Sequence, residues 1–198
     1  MVEDHTWLRK TAWNEKNEYF TPRVLVKPIV KYVQPNSTIW CPFDTEHSEF
    51  VKILRECGHK VIPTHIWHGQ DFFEYEPDEH YDYIISNPPF TRKLDVLKRL
   101  YELGTPFAMI MGLPILNYNE INNFYSNLDE DLQLLIVDKK VSFDGNTSSF
   151  NNSYFCHKML PKAIVFEHLE HNNAGKNHVP SQMLDDYYCM ITLGEVDQ

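Results

Sequence analysis

The stretch Tyr81-Asp82-Tyr83-Ile84-Ile85-Ser86-Asn87-Pro88-Pro89-Phe90 joins a strand pattern to an abrupt, proline-rich end. Residues 81–86 are rich in Tyr and Ile, which predicts a buried strand. Pro88 and Pro89 each fix φ at about −65° and lack a backbone N–H, so the strand cannot continue through them. We therefore expect residues 87–90, called the Pro-Pro turn below, to hold an amide, rigid carbonyls and an aromatic ring at the carboxyl end of a strand.

Short apolar segments and helical patterns alternate on both sides of this stretch. The further predicted strands are Thr38–Cys41, Val61-Ile62, Phe107–Leu113, Leu132–Val137 and Ala163–Phe166. The predicted helices are Val24–Val33, the stripe Phe50, Ile53, Leu54 and Cys57, and the stripe Leu94, Leu97, Leu100 and Tyr101. Gly58 and Gly104 are natural stops for the two stripes. The alternation predicts an α/β fold, a doubly wound and mostly parallel sheet with helices on both faces, in three αβα layers.

The chain length of 198 residues suits one hydrophobic core. We place the α/β domain over residues 1–169 and assign residues 170–198 to a C-terminal tail or edge element. The Asn- and Ser-rich segment 146–153 is interpreted either as a solvated insertion or as a substrate-facing loop.

The charge balance constrains binding to nucleic acids. Lys and Arg number 18 against 28 Asp and Glu, a net charge of −10. A freestanding protein that binds nucleic acid mainly through phosphates needs a dominant basic surface, so the charge disfavours this class, whereas a local basic cleft is allowed. The 7 glycines also disfavour sites built from glycine-rich loops.

Cysteine and histidine spacing predicts neither a disulfide framework nor a metal site. The four cysteines contain no C-x-x-C pair, which favours free thiols in a reducing compartment. His65-x-x-His68 and His168-x-x-His171 lack a clear third ligand. Residues 1–4 do not resemble a secretory signal, and Pro114 interrupts the longest apolar run well below the ~20 residues that span a bilayer. We expect a cytoplasmic protein without membrane contact.

The Pro-Pro turn has the groups that bind a planar amino compound. Phe90 can stack on its face, while the Asn87 side-chain oxygen and the Pro88 carbonyl accept its two N–H groups. Accepting both protons directs the nitrogen lone pair at an electrophile. Ligands of open α/β sheets bind at the carboxyl ends of strands, where this turn is predicted.

Asn87-Pro88-Pro89-Phe90 resembles the catalytic motif of the adenosylmethionine-dependent amino-methyltransferases, especially the adenine-N6 DNA methyltransferases. The resemblance spans about residues 18–168 and implies a Rossmann-like methyltransferase fold, S-adenosyl-L-methionine as cofactor, and catalytic roles for the four residues of the turn. Asn87 would also contact the cofactor.

The same resemblance assigns other cofactor contacts. Tyr19-Phe20-Thr21-Pro22 is similar to the segment at the methionine part, and Cys41-Pro42-Phe43-Asp44 occupies the place of the first-strand motif. Asp71 would accept from the adenine amino group and Phe72 would pack on its ring. His65 stands where the family has an acid that binds the ribose.

The cofactor side departs from the family pattern. Cys41 replaces an acidic residue, and Thr45 and His47 replace glycines. Either Asp44 or Glu46 would then meet the methionine ammonium, and the N-terminus of the following helix would accept the carboxylate. These departures leave a second interpretation open, a catalytically inactive methyltransferase-like protein that binds a partner or nucleic acid without turnover.

The substrate side is implied by position. Arg92 and Lys93 lie close enough to the turn to contact a phosphate. Phe143 and the loop to Phe155 occupy the position at which members of the resembled family have residues that surround the flipped target base. We expect methylation of adenine N6 in DNA in a bacterial or phage-infected cell, with RNA or a protein as alternative acceptors. The short region after the last predicted strand implies little built-in sequence recognition or a partner protein that supplies it, and the oligomeric state stays open.

Overall fold

The computed structural model describes residues 21–141 and 151–169, and one seven-stranded sheet runs through them. The strands are β1 (Thr38–Cys41), β2 (Lys60–Pro63), β3 (Tyr83–Ser86), β4 (Phe107–Gly112), β5 (Gln133–Val137), β6 (Asn152–His157) and β7 (Ile164–Glu167). The helices are α1 (Arg23–Val30), α2 (Glu49–Glu56), α3 (Lys93–Leu103) and α4 (Asn119–Ser126), with short 3₁₀ helices at Ile66–His68 and Leu113–Asn117.

The sheet carries an apolar core on each face. Along β1, Ile39 and Cys41 face the cluster that contains the apolar residues of α1 and α2, whereas Trp40 faces the cluster that contains those of α3. This alternation follows from the two-residue period of a strand whose two faces are both buried. The predicted three-layer αβα arrangement is confirmed.

The spatial order of the strands is β2-β1-β3-β4-β6-β5-β7. The strands β2, β1, β3 and β4 are parallel neighbours, and β5 also pairs with β7 in parallel. From β1 the chain passes to β2 on one side, and it then returns to β3 on the other. The strand order therefore reverses between β1 and β3, which is the position where open α/β sheets form a ligand crevice.

Strand β6 corrects the prediction of a loop that extends to Phe155. Asn152 begins a strand that lies antiparallel between β4 and β5, and all six of its residues are buried. Phe155 pairs with Met109 and Leu134 and is fully buried, so it cannot embrace a base. The strand was not predicted because it begins with two polar residues, Asn152 and Ser153, which do not fit the apolar pattern of a buried strand.

Glycines end two helices as predicted. Gly58 and Gly104 have φ of +87° and +69°, a left-handed conformation that glycine adopts without a steric penalty. Cys57 differs from the prediction, because α2 ends at Glu56 and leaves this cysteine exposed instead of on the apolar face. Every helix in the described ranges is too short or too polar to cross a membrane.

Candidate functional site

Three loops meet where β1, β2 and β3 end. Parallel pairing sets Cys41 opposite Pro63 and Trp40 opposite Ile84, so the three strands end at the same edge of the sheet. Asp44 follows β1, His65 follows β2 and Asn87 follows β3. Residues distant in sequence thus share one edge, at the point where the strand order reverses.

Asp44 is a buried carboxylate, with an exposed fraction of 6%. The Ser86 hydroxyl donates to its Oδ2 atom at 2.5 Å, and Ser86 is the residue before Asn87. The Asp44 backbone N–H donates to the Thr64 carbonyl at 3.2 Å, which extends the pairing of β1 and β2 beyond the strand ends. The carboxylate is therefore held beside the start of the Pro-Pro turn.

The loop from Asp44 to Ser48 is shaped without glycine. The Thr45 N–H donates to Ser48 Oγ at 3.1 Å, and the His47 N–H donates to Thr45 Oγ1 at 3.4 Å. No residue of this loop has a positive φ, so its backbone does not require glycine. Glu46 lies on the outside, where its carboxylate accepts from Arg55 at 2.5 Å, and this pairing lowers the pKa of Glu46.

Residues 71–75, called the aromatic loop below, contain the predicted adenine contacts. The N–H of Phe73 donates to Asp71 Oδ1 at 3.0 Å, and Asp71 thereby closes the loop. Phe72 is 2% exposed and its ring centroid lies 5.5 Å from that of Trp40, in the core. Phe73 is only half-buried. Phe73 is the accessible ring of this pair, and sequence reasoning missed it because two adjacent phenylalanines in a loop carry no periodicity.

The Pro-Pro turn leads into α3 through Arg92. Pro88 is buried and Phe90 is half-buried. The Nζ atom of Lys93 lies 5.0 Å from the Phe90 ring centroid, and burial lowers the pKa of this lysine. Arg92 has φ of +61°, and its guanidinium carbon lies 3.8 Å from the Phe73 ring centroid. Lys93 is thus next to the predicted base-stacking ring, whereas Arg92 contacts the aromatic loop.

The first-strand segment has mixed exposure. The Cys41 side chain lies wholly within the core, and burial raises the pKa of its thiol. Pro42 is buried, while Phe43 is half-buried with its ring centroid 4.9 Å from that of Phe72. His65 is 5% exposed, and its Nδ1 accepts from the Trp67 N–H at 3.2 Å. Of the three side chains in segment 41–43, that of Phe43 is the most accessible.

Of the N-terminal segment that is predicted to contact a cofactor, the structure describes Thr21 and Pro22. Thr21 and Pro22 are buried, and Pro22 directly precedes α1. Tyr19 and Phe143, two further predicted contacts, lie outside the described residues. Residues 21–141 and 151–169 contain no group of three or more His, Cys, Asp or Glu that could hold a metal ion.

Comparison with known proteins finds similarity to solved structures only. No family model and no curated protein matches the sequence. A modification subunit assigned to a type I restriction enzyme from Vibrio vulnificus aligns with 98% of this chain at 12% identity and a TM-score of 0.46. A type I restriction-modification methyltransferase subunit from Streptococcus thermophilus aligns with 94% at 9% identity and a TM-score of 0.49.

A third similar structure is a protein from Listeria monocytogenes assigned as a class I adenosylmethionine-dependent methyltransferase. It aligns with 92% of this chain at 10% identity and a TM-score of 0.48. The aligned region makes up 57%, 56% and 73% of the three proteins in turn. This chain therefore spans little more than half the length of the two restriction-modification subunits.

Proposed function

We propose that this protein transfers a methyl group from S-adenosyl-L-methionine to an exocyclic amino group, with adenine N6 of DNA as the acceptor. One observation carries the proposal. The Asn-Pro-Pro-Phe turn begins at the carboxyl end of β3, and the preceding residue, Ser86, is hydrogen-bonded to the buried Asp44. The motif that would bind the acceptor amino group and a candidate residue for cofactor binding, Asp44, thus lie on either side of the point where the strand order reverses.

The residues around Asp44 suit the methionine part of the cofactor. A carboxylate at this edge is complementary to an ammonium group, and a buried carboxylate gains from a positive charge nearby. Asp44 is preferred over Glu46 because the Glu46 carboxylate is already engaged by Arg55 at the surface. For the adenine part, the half-buried rings of Phe43 and Phe73 and the carboxylate of Asp71 offer stacking and an acceptor.

The Pro-Pro turn would orient the acceptor. The Asn87 side-chain oxygen and the Pro88 carbonyl accept the two protons of the amino group, which directs the nitrogen lone pair away from the turn. Phe90 stacks on the ring of an extruded base. When bound, adenosylmethionine supplies the electrophilic methyl group. A general base with a lowered pKa is not required, since the proton can leave after transfer.

DNA binding would depend on few local cations. Lys93 is beside Phe90, so it is the cation best placed to meet the phosphate of a base stacked there. The net charge of −10 opposes tight, unaided binding to DNA. We therefore include in the proposal a partner protein that supplies sequence recognition and much of the DNA affinity.

Methyl transfer measured directly tests the proposal. The protein is incubated with tritiated adenosylmethionine and either unmethylated adenine-rich DNA or total RNA, and the modified base is identified after digestion. We expect N6-methyladenine in DNA, and a loss of at least about a hundredfold in Asn87→Ala. Asn122→Ala, an exposed position on α4, is the matched control. No incorporation into either polymer by wild type, at saturating polymer and with saturable cofactor binding, would exclude both nucleic acids as acceptors for this chain alone.

A second function is favoured by the filled cofactor loop. Thr45 is buried at a position where the resembled family has glycine, and His65 is buried where the family has an acid. Thr45 reduces the space for a cofactor, and His65 removes an acidic hydrogen-bond acceptor for it. Both differences suit a binding protein without turnover. Calorimetric titration with adenosylmethionine separates the two functions, because the enzyme must bind it and the inactive protein need not.

A further inference from the structure

We propose that Arg92 and Arg99 form a clamp that holds the aromatic loop against α3 and so couples this loop to the Pro-Pro turn. The two arginines are seven residues apart, which is about two helical turns. They contact different residues of the same loop, Arg92 at Phe73 and Arg99 at Phe72 and Tyr75. The part of this inference that concerns the cofactor rests on the proposed function.

The aromatic loop is closed mainly by Asp71. The Phe73 N–H donates to Asp71 Oδ1, and the N–H groups of Glu74 and Tyr75 donate to the Asp71 carbonyl at 2.9 and 2.7 Å. These bonds fix the shape of the loop but do not attach it to the sheet. Its position must come from side chains, of which Phe72 is the member that packs into the core.

Arg99 attaches the far end of the loop to α3. Its Nη2 donates to the Tyr75 carbonyl at 3.1 Å, and its guanidinium carbon lies 5.4 Å from the Phe72 ring centroid. The Nε atom is buried and has no hydrogen-bond partner among the described residues. Arg99 is half-buried, so its contacts with the loop are partly shielded from solvent.

Arg92 attaches the accessible ring. Its guanidinium lies over Phe73 at 3.8 Å and its Nε donates to Asp95 at 3.0 Å, so the planar group is held in place from two sides. The left-handed backbone of Arg92 is unfavourable for a residue with a side chain, and such residues persist where the surroundings enforce them. Arg92 follows the Pro-Pro turn by two residues, so movement of the turn is transmitted to Phe73.

The clamp makes both arginines positioning residues. In the proposed function, the aromatic loop contacts the adenine of the cofactor and the Pro-Pro turn contacts the acceptor amino group. A helix that is fixed to both would hold the cofactor adenine and the acceptor amino group in a defined relative position. Arg92 then acts through Phe73 and Asp95, and Lys93 remains the candidate for phosphate contact.

The test compares Arg92→Met, Arg99→Met and the double variant with Lys98→Met, an exposed position on the same helix. Amide hydrogen exchange is measured in the free protein, and adenosylmethionine is then titrated calorimetrically. We expect exchange of the Phe73, Glu74 and Tyr75 amides to accelerate about tenfold in the arginine variants, while amides of β1 and β3 keep their wild-type rates. We expect the Kd for adenosylmethionine to rise about tenfold and Lys98→Met to stay within about twofold of wild type.

The outcomes separate the clamp from the proposed function. Wild-type exchange of the loop amides in the double variant would overturn the clamp, as would an equal acceleration across the whole sheet. Absence of adenosylmethionine binding by wild type would instead refute the proposed function, while the exchange data still decide whether the clamp exists. Arg99→Lys, which keeps a donor for the Tyr75 carbonyl, should restore part of the protection and affinity, whereas a role in global packing would give no such rescue.

Discussion

The Ser86 hydroxyl donates a 2.5 Å hydrogen bond to the Asp44 carboxylate and joins the end of β3 to the loop after β1. Both residues are buried, so neither group can exchange this bond for one to water. A buried carboxylate that loses a donor loses part of what compensates its desolvation. The bond therefore contributes both to the stability of this edge and to the position of Asp44.

Removing that donor gives the first prediction. Ser86→Ala should lower the free energy of unfolding by about 1.5–3 kcal/mol, the usual contribution of a hydrogen bond to a charged group. Urea unfolding measures the change. Ser126→Ala, at the exposed end of α4, should stay within about 0.5 kcal/mol of wild type. Equal stabilities of the two variants would show that the Ser86–Asp44 bond contributes little.

The two adjacent phenylalanines of the aromatic loop should respond differently to truncation. Phe72→Ala removes a core ring and should cost about 3–5 kcal/mol. Phe73→Ala removes a half-buried ring whose contact with Arg92 is worth about 1 kcal/mol, so most of the stability should remain. Thermal unfolding followed by circular dichroism compares the two. A larger loss in Phe73→Ala would contradict the assignment of Phe72 to the core.

The glycine that ends α3 provides a test of backbone strain. Gly104 has φ of +69° and open space around the position of a Cβ, so Gly104→Ala should cost about 1–2 kcal/mol through strain alone. Gly112 is the matched control, because its φ is negative and the nearest atom to an added Cβ would be 3.7 Å away. Gly112→Ala should be within about 0.5 kcal/mol of wild type in urea unfolding. A neutral Gly104→Ala would mean that the helix end can shift out of the left-handed region.

The stability of the fold should decrease in mild acid because of His157. This side chain is 3% exposed, its ring stacks on Phe107, and burial lowers its pKa although Glu130, 3.0 Å away, opposes the shift. The folded protein then binds fewer protons than the unfolded chain, whose histidine pKa is about 6.5. Stability is complete above that pH and is lost as the pH falls through the lower pKa of the folded state.

Unfolding curves at several pH values between about 7 and 5 measure this decline. His157→Gln should make it shallower. The pKa of His59 is also lowered by burial, so His59→Gln should remove a further part, and the double variant should be the flattest. If the ion pair with Glu130 outweighed burial, the pKa of His157 would be raised in the folded protein. The wild type would then keep its stability through this range, and His157→Gln would not.

The sequence predicted the parallel half of the sheet better than the other half. β1, β3 and β4 are mostly apolar and were placed within one or two residues, and the Pro-Pro turn marked the end of β3 without ambiguity. β6 was missed because it begins with Asn152 and Ser153, and its burial comes from neighbours on both sides. Such neighbours lie far along the chain, so no local pattern contains them.

The candidate site, too, was predicted from the sequence only in part. The positions of Asp44, His65 and Asn87 at one edge follow from strand ends that the sequence marks. The contacts of Arg92 with Phe73 and of Arg99 with Tyr75 join a loop to a helix about twenty residues away, and only the fold reveals them. Its charge and its closeness to the Pro-Pro turn suggested a phosphate contact for Arg92, and the contact with an aromatic ring could not be foreseen because arginine serves anions and aromatic rings equally well.

The place of β6 between β4 and β5 fixes an order of assembly during synthesis. β5 leaves the ribosome before β6, yet its neighbours in the sheet are β6 and β7, both of which follow it in the chain. Until residues 152–157 emerge, the edge of β4 and the whole of β5 expose backbone groups that can pair with another chain. A nascent or truncated chain that ends before Asn152 should therefore depend on chaperones to avoid aggregation, even though the half of the sheet that holds the candidate site has already been made.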